Sequence, residues 1–307
     1  MLMEIRNKVS LLLLVGLIVF GIINTVFFPD VSYGAVEREQ TYVRMSHTET
    51  PEIVTFGNEA VTIDVSNASR GYLAAKYTGE NDKVKLIVAK NDDDIIYDIP
   101  RDKYEEYVVL PFHAGSGEYV ISVWESMGGT MFKSVLEETE DIQLDNEAVT
   151  FLYPSLNVDF DEESLAVQTA AAIALSAKSD RELTNSIFNW IITTIEYDYD
   201  LENAIRAGMR YATDIDDVII RQKGICLDYS TIMVAMLRSQ GIPAKVVVGL
   251  VEYNGETLFP KHSWVSVYLE GDTGYEWVNY DPTFKTSEEK GVGNSPYLFT
   301  YNTEYCY

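Results

Sequence analysis

Cysteine, histidine and aspartate are residue types of nucleophilic catalysis, and this chain places one of each where the three could act together. Cys226 follows Gly224-Ile225 and precedes an apolar run, Leu227 to Ser239, that stops at Gly241-Ile242-Pro243. Glycine and proline in those stop positions predict a helix that begins at Cys226. At a helix N-terminus the unpaired backbone N–H groups and the macrodipole favour an anion, and so bias a thiol toward the reactive thiolate. By itself this position also suits a buried cysteine acting as a small apolar side chain.

His262 and Asp281 lie on a predicted hairpin. One strand runs from His262 to Leu269 and the other from Tyr275 to Asp281, joined through Gly271-Asp272-Thr273-Gly274. A turn centred between Gly271 and Asp272 pairs His262 with Asp281, Trp264 with Asn279 and Ser266 with Trp277. Opposed side chains in an antiparallel pair have Cβ atoms about 4.5–5.5 Å apart. The carboxylate could then accept the imidazole N–H and fix its tautomer. Val265, Val267, Leu269 and Val278 form the opposite, apolar face, which can rest on a core. A thiol, a base and an orienting acid have the logic of a triad if the fold brings Cys226 against His262. The competing reading is that His262 and Asp281 only satisfy each other at a strand end. The chemistry expected of a triad is thiolate attack on a carboxamide or peptide carbonyl, with His262 protonating the departing nitrogen and Asp281 stabilising the imidazolium. An amine acceptor for the resulting thioester gives crosslinking, and water gives deamidation or hydrolysis. Trp264, Trp277 and Tyr229 are candidates for lining the acyl-binding groove, against the alternative that they are core.

The elements that must hold these residues change character along the chain. From Glu52 to about Asp145 apolar residues alternate, as in Val61, Ile63, Val65; Val84, Leu86, Val88; Tyr107, Val109; and Tyr119, Ile121, Val123. These short runs, separated by turn residues, predict an antiparallel β-sandwich of Ig-like or jelly-roll-like type over residues 52–145. Asn91 to Asp94 reads as a solvated turn, and His113 as a turn or edge residue. Past Asn146 the period lengthens. Ser164 to Ala177 reads as a helix, and Asp180 can cap a second one with Leu183, Ile187, Trp190, Ile191 and Ile195 on its apolar face. Tyr197 to Thr213 reads as a polar connection, and Asp214 opens a short helix through Val218, Ile219 and Ile220. The fold class is α+β, with helices packed on an antiparallel sheet over residues 146–307.

The N-terminal stretch has Arg6 and Lys8 ahead of an apolar run, Leu11 to Phe28, and reads as an export signal over residues 1–35. Its length lies between that of a removable leader and that of a spanning helix. Cleavage near Gly34 or Ala35 is therefore one outcome, and a membrane anchor through residues 9–28 is the other. Residues 36–51 read as a polar linker. A net charge of -25, from 48 acidic and 23 basic residues, argues against nucleic acid as a partner, since it would repel phosphate. Cys226 and Cys306 are too few for a disulfide framework, no zinc-like spacing is present, and the three histidines stand singly. Cys306, in the Tyr305-Cys306-Tyr307 tail, is expected to be a free thiol; a disulfide to Cys226 would silence the nucleophile.

Lys223-Gly-Ile-Cys-Leu-Asp-Tyr229, Leu237-Arg-Ser-Gln-Gly-Ile-Pro-Ala244, His262-Ser-Trp264 and Trp277-Val-Asn-Tyr-Asp-Pro-Thr-Phe284 resemble, in this order, the motifs of the transglutaminase-like superfamily. The resemblance covers roughly residues 160–284, and a sandwich followed by this core is similar to secreted proteins of Gram-positive bacteria. It implies a papain-like core with the nucleophile at Cys226, the base at His262 and the orienting acid at Asp281. It implies no cofactor or metal, and a protein or peptidoglycan-peptide substrate met outside the cytoplasm. Many members continue after His-x-Trp with Asn and Glu, where this chain has Val265 and Ser266. The family's side-chain oxyanion donor maps onto no residue; the Cys226 backbone N–H is the natural first donor. The rival to an exported acyl transferase, amidase or peptidase is a catalytically silent binding module of the same shape.

Overall fold

Eight strands build the N-terminal half: β1 (Thr55–Gly57), β2 (Val61–Asp64), β3 (Tyr72–Tyr77), β4 (Val84–Lys90), β5 (Asp93–Ile99), β6 (Tyr107–Pro111), β7 (Gly117–Gly128) and β8 (Met131–Ile142). The structure is a computed structural model that describes residues 45–289, 292–293 and 299–307, apart from the side chains of Pro260 and Phe299. The leader or anchor expected over residues 1–35, and the linker as far as residue 44, lie outside the described residues. The strands form two antiparallel four-stranded sheets, ordered β1-β2-β3-β6 and β5-β4-β7-β8. Val61, Ile63, Leu86, Val88, Tyr119 and Ile121 turn one face of each sheet into a shared apolar core, where burial contributes roughly 25 cal/mol per Å² of apolar surface. Asn91 and Asp92 turn the β4–β5 hairpin, with Lys90 opposite Asp93 and Asn91 at φ 55. His113 lies in the turn expected of it but is buried there, with Nε2 3.3 Å from Asp93 Oδ1.

The C-terminal half has five α-helices among its described residues: α1 (Leu165–Ala174), α2 (Asp180–Thr194), α3 (Tyr199–Arg206), α4 (Ile215–Arg221) and α5 (Cys226–Ser239). Ser179 rather than Asp180 caps α2, its hydroxyl accepting Glu182 N–H at 3.1 Å. Asp214 caps α4 as expected. Helix α3 occupies the stretch read as a polar connection. It buries no residue, and Asp198 caps it by accepting Leu201 N–H at 3.0 Å.

A short parallel pair, β9 (Glu196–Tyr197) and β10 (Lys223–Gly224), leads into α5. The main sheet comprises β11 (Ala244–Tyr253), β12 (Glu256–Gly271), β13 (Gly274–Asp281), β14 (Thr286–Ser287) and β15 (Phe299–Cys306), in the order β14-β13-β12-β11-β15. Helix α5 is buried from Asp228 to Ser239 and lies between this sheet and helices α1 and α2. Val246, Val248, Val265 and Val267 supply the apolar face of the sheet. Tyr305-Cys306-Tyr307 is not a loose tail but the end of edge strand β15, held by a reciprocal hydrogen-bond pair between Val246 and Tyr307 at 2.8 and 3.0 Å. The strand-rich and helical halves fall in one compact unit. Arg238 at the end of α5 is wholly buried and donates to the carbonyls of Tyr153 and Ala244, each at 2.8 Å.

Candidate active site

Cys226 is the first residue of α5, and local chemistry fixes it there. Gly224 gives β10 a close approach to the helix, because a Cβ at this position would lie 2.8 Å from that of Asp228. Asp228, at the third helical position, accepts Ile225 N–H at 2.8 Å and so satisfies one of the donors that the helix start leaves open. Its other oxygen accepts the hydroxyls of Tyr211 (2.8 Å) and Thr213 (2.7 Å), which ties the segment after α3 to the helix start. Burial pushes the Asp228 carboxyl up despite those three donors. Cys226 itself is half-buried and forms no disulfide.

The hairpin register differs from the expected one by two residues. Gly271 pairs with Gly274, Ser266 with Asn279 and Val265 with Tyr280, so the turn centres on Asp272-Thr273. The two-residue Asp272-Thr273 loop closes a tighter hairpin than the one expected, and Gly274 takes a φ of 134 that favours glycine. His262 and Asp281 are consequently not direct cross-strand partners; the ladder ends at Val265 and Tyr280. A shift of two, unlike a shift of one, keeps every side chain on its face and makes the two residues diagonal neighbours. They meet in that arrangement: His262 Nε2 lies 2.8 Å from Asp281 Oδ2, and each side chain is only 3% exposed.

With Nε2 engaged by the carboxylate, Nδ1 is the ring nitrogen left for a thiol, and Cys226 lies near enough to the His262 ring for each to shift the other's proton affinity. Burial would raise the thiol, but the His262 hydrogen bond and charge, aided by the side chain and backbone of Ser263, hold it below the ordinary cysteine range. Burial would likewise lower the imidazole, yet Asp281 and then Cys226 raise it to about 9. Both shifts favour a thiolate–imidazolium pair at neutral pH.

The carboxylate is itself fixed. Asp281 Oδ1 accepts Phe284 N–H at 3.1 Å and Oδ2 accepts the Tyr301 hydroxyl at 3.0 Å. The Phe284 ring stacks on His262 at 4.5 Å and 10°, covering one face of the imidazole. Trp264 is buried, near-parallel to His262 at 6.4 Å and against Tyr301 at 5.0 Å. Tyr229 is also buried, its hydroxyl donating to Ile195 O at 2.6 Å. Trp277 packs edge-on against Phe151 at 5.5 Å and under Lys245 Nζ at 4.4 Å, four residues along β13 from Asp281. Tyr197, next in space to Tyr199 and Tyr229, faces the Cys226 charge, and burial is the larger cause that raises its phenol.

Sequence reading did not single out Ser263, Phe284 or Tyr301. Ser263 and Phe284 sit inside the quoted motifs, but nothing in their spacing signals a role. Tyr301 arrives from a strand with no local link to the hairpin. Among the described residues no three His, Cys, Asp or Glu side chains gather as metal ligands would, and no helix is long and apolar enough to cross a membrane. The arrangement can generate a nucleophilic thiolate and return a proton through His262. The Cys226 backbone N–H, at the first helical position, is placed to meet an oxyanion.

Residues 167–282 match the profile of the Transglutaminase-like superfamily, and this stretch is a transglutaminase-like core. A protein-glutamine gamma-glutamyltransferase of Pseudomonas aeruginosa is 33% identical over 91 residues, which cover 26% of this chain and 13% of that protein. A Methanocaldococcus jannaschii protein, UPF0252 protein MJ1282, is 30% identical over 113 residues, covering 35% of this chain and 31% of the relative. The match thus spans about a third or less of these relatives' length. Among solved structures, the periplasmic domain of TgpA from Pseudomonas aeruginosa superposes with a TM-score of 0.34 at 16% identity, over 75% of this chain and 94% of that one.

Proposed function

We propose that the protein is an exported acyl transferase, amidase or peptidase that acts on protein or cell-wall peptide amides through a thioester on Cys226. The observation that carries this reading is the 2.8 Å contact between the buried His262 ring and the Asp281 carboxylate, with Cys226 near enough to that ring for each to shift the other's proton affinity. Cys226 attacks the carbonyl carbon, His262 Nδ1 gives its proton to the departing nitrogen, and Asp281 keeps the imidazole oriented throughout. The thioester then passes its acyl group to an amine or to water, with His262 acting as base for the incoming nucleophile. Neither step needs a cofactor. The relative named as a glutamyltransferase supports acyl transfer from glutamine, and the acidic surface argues against a nucleic-acid partner.

The test offers purified protein a glutamine-containing casein or a cell-wall peptide, with and without hydroxylamine. Hydroxamate formation means transfer, and new termini or released ammonia mean hydrolysis. Silence in every arm, with Cys226 confirmed as a free thiol, would favour the non-catalytic binding module instead.

A further inference from the structure

We propose that Tyr301, on β15 and outside the 167–282 core, is a positioning residue whose hydroxyl shares Asp281 Oδ2 with the His262 ring and so limits how tightly the carboxylate holds the imidazolium. The inference rests on the reading of His262 and Asp281 given above. The Tyr301 hydroxyl lies 3.0 Å from Asp281 Oδ2, the same oxygen that meets His262 Nε2 at 2.8 Å. Thr286 Oγ1 lies 3.2 Å from the Tyr301 oxygen. A phenol has one proton, and here it goes to the carboxylate, so Thr286 must be the donor in the second bond. The chain therefore runs from Thr286 through Tyr301 to Asp281.

The backbone is shaped to deliver this hydroxyl. Gly249 pairs with His262 on one side and Thr303 on the other, at irregularities in both ladders. A Cβ at Gly249 would collide with the Asn302 carbonyl, so glycine allows β15 to come close beside the site. Bulges of this kind re-aim side chains next to active sites. Burial and the Asp281 charge both raise the Tyr301 phenol, which keeps it a donor. The titratable groups facing the pair are Cys226 from α5 and Tyr301 from β15, with Glu288 beyond Tyr301.

A donor on a carboxylate disperses its charge, so removing that donor strengthens its hold on a neighbouring imidazolium. The three histidines make the test direct: the ring signals of His262 are identified by their loss in His262→Gln and titrated by NMR. Tyr301→Phe keeps the ring on Trp264 and is expected to move the His262 midpoint upward by on the order of half a pH unit, the equivalent of part of a hydrogen bond. Thr286→Val should move it in the same direction by less, and it carries the test if Tyr301→Phe does not fold. An unmoved or lowered midpoint in a folded variant would overturn the proposal. The titration needs no substrate, so an inactive protein would sink the acyl-transfer reading and leave this result interpretable.

Discussion

Asp281→Asn removes one negative charge and almost no volume from a site where both partners are 3% exposed. The His262 imidazole stands at about 9 rather than 6.5 although burial pulls it down, and the Asp281 charge and hydrogen bond are the main causes of the rise. That difference of about 2.5 units, at 1.36 kcal/mol each, is about 3 kcal/mol of preference for the imidazolium. Without the charge, burial takes over and the ring becomes neutral at pH 7. The asparagine amide would also present a donor to Nε2, which places the ring proton on Nδ1 and leaves no acceptor for the thiol proton. Loss of the cation removes the chief support for the thiolate, so the thiolate fraction near neutrality should fall. Ultraviolet titration of thiolate absorbance in a Cys306→Ser background reads this directly, as a Cys226 midpoint shifted up from below the ordinary thiol range. A midpoint within a few tenths of a unit of the parent protein's would refute the claim that Asp281 sustains the ion pair.

Three further outcomes are expected. The pH profile of kcat/KM should be bell-shaped: its acid limb, where Cys226 loses its proton, falls below the ordinary thiol range, and its alkaline limb, where His262 loses its own, falls near 9. A single limb at the ordinary cysteine value would contradict both shifts. Ser263→Ala removes a hydroxyl that helps hold the Cys226 thiol down and leaves the backbone in place, so Cys226 should alkylate roughly 3- to 10-fold more slowly at mildly acidic pH, the equivalent of one hydrogen bond. Asp228→Ala leaves the Ile225 N–H and the Tyr211 and Thr213 hydroxyls without their acceptor, and should lower the urea-unfolding free energy by about 2–4 kcal/mol; a change under about 0.5 kcal/mol would show that water replaces the carboxylate.

The readable parts of the chain were those whose periodicity reports their burial. Val84, Leu86 and Val88, or Tyr119, Ile121 and Val123, alternate because one face of each strand is solvated. Strand β3 was invisible because Tyr72, Leu73, Ala74 and Ala75 are all buried, which erases the period. Strand β8 hid for the opposite reason: all of Met131–Ile142 except Ile142 is exposed or only partly buried at a sheet edge, where charged residues such as Glu137 and Glu138 discourage pairing with another chain. Helix α3 buries nothing and so presented no apolar stripe. At the site, the helix position of Cys226 could be read from its stop and start residues. The His262–Asp281 contact could also be read in spite of a register error of two, because strand faces repeat every second residue. Tyr301 could not, since its place depends on a distant strand slipping in beside Gly249.

The most direct measurement is the rate at which iodoacetamide alkylates Cys226 at mildly acidic pH, resolved from Cys306 by peptide mass spectrometry, in the parent protein and in His262→Ala. A sulfur ionised by its imidazole neighbour should react far faster than an ordinary thiol and lose that advantage in the variant. Equal and slow rates in the two proteins would show that the contact does not ionise Cys226.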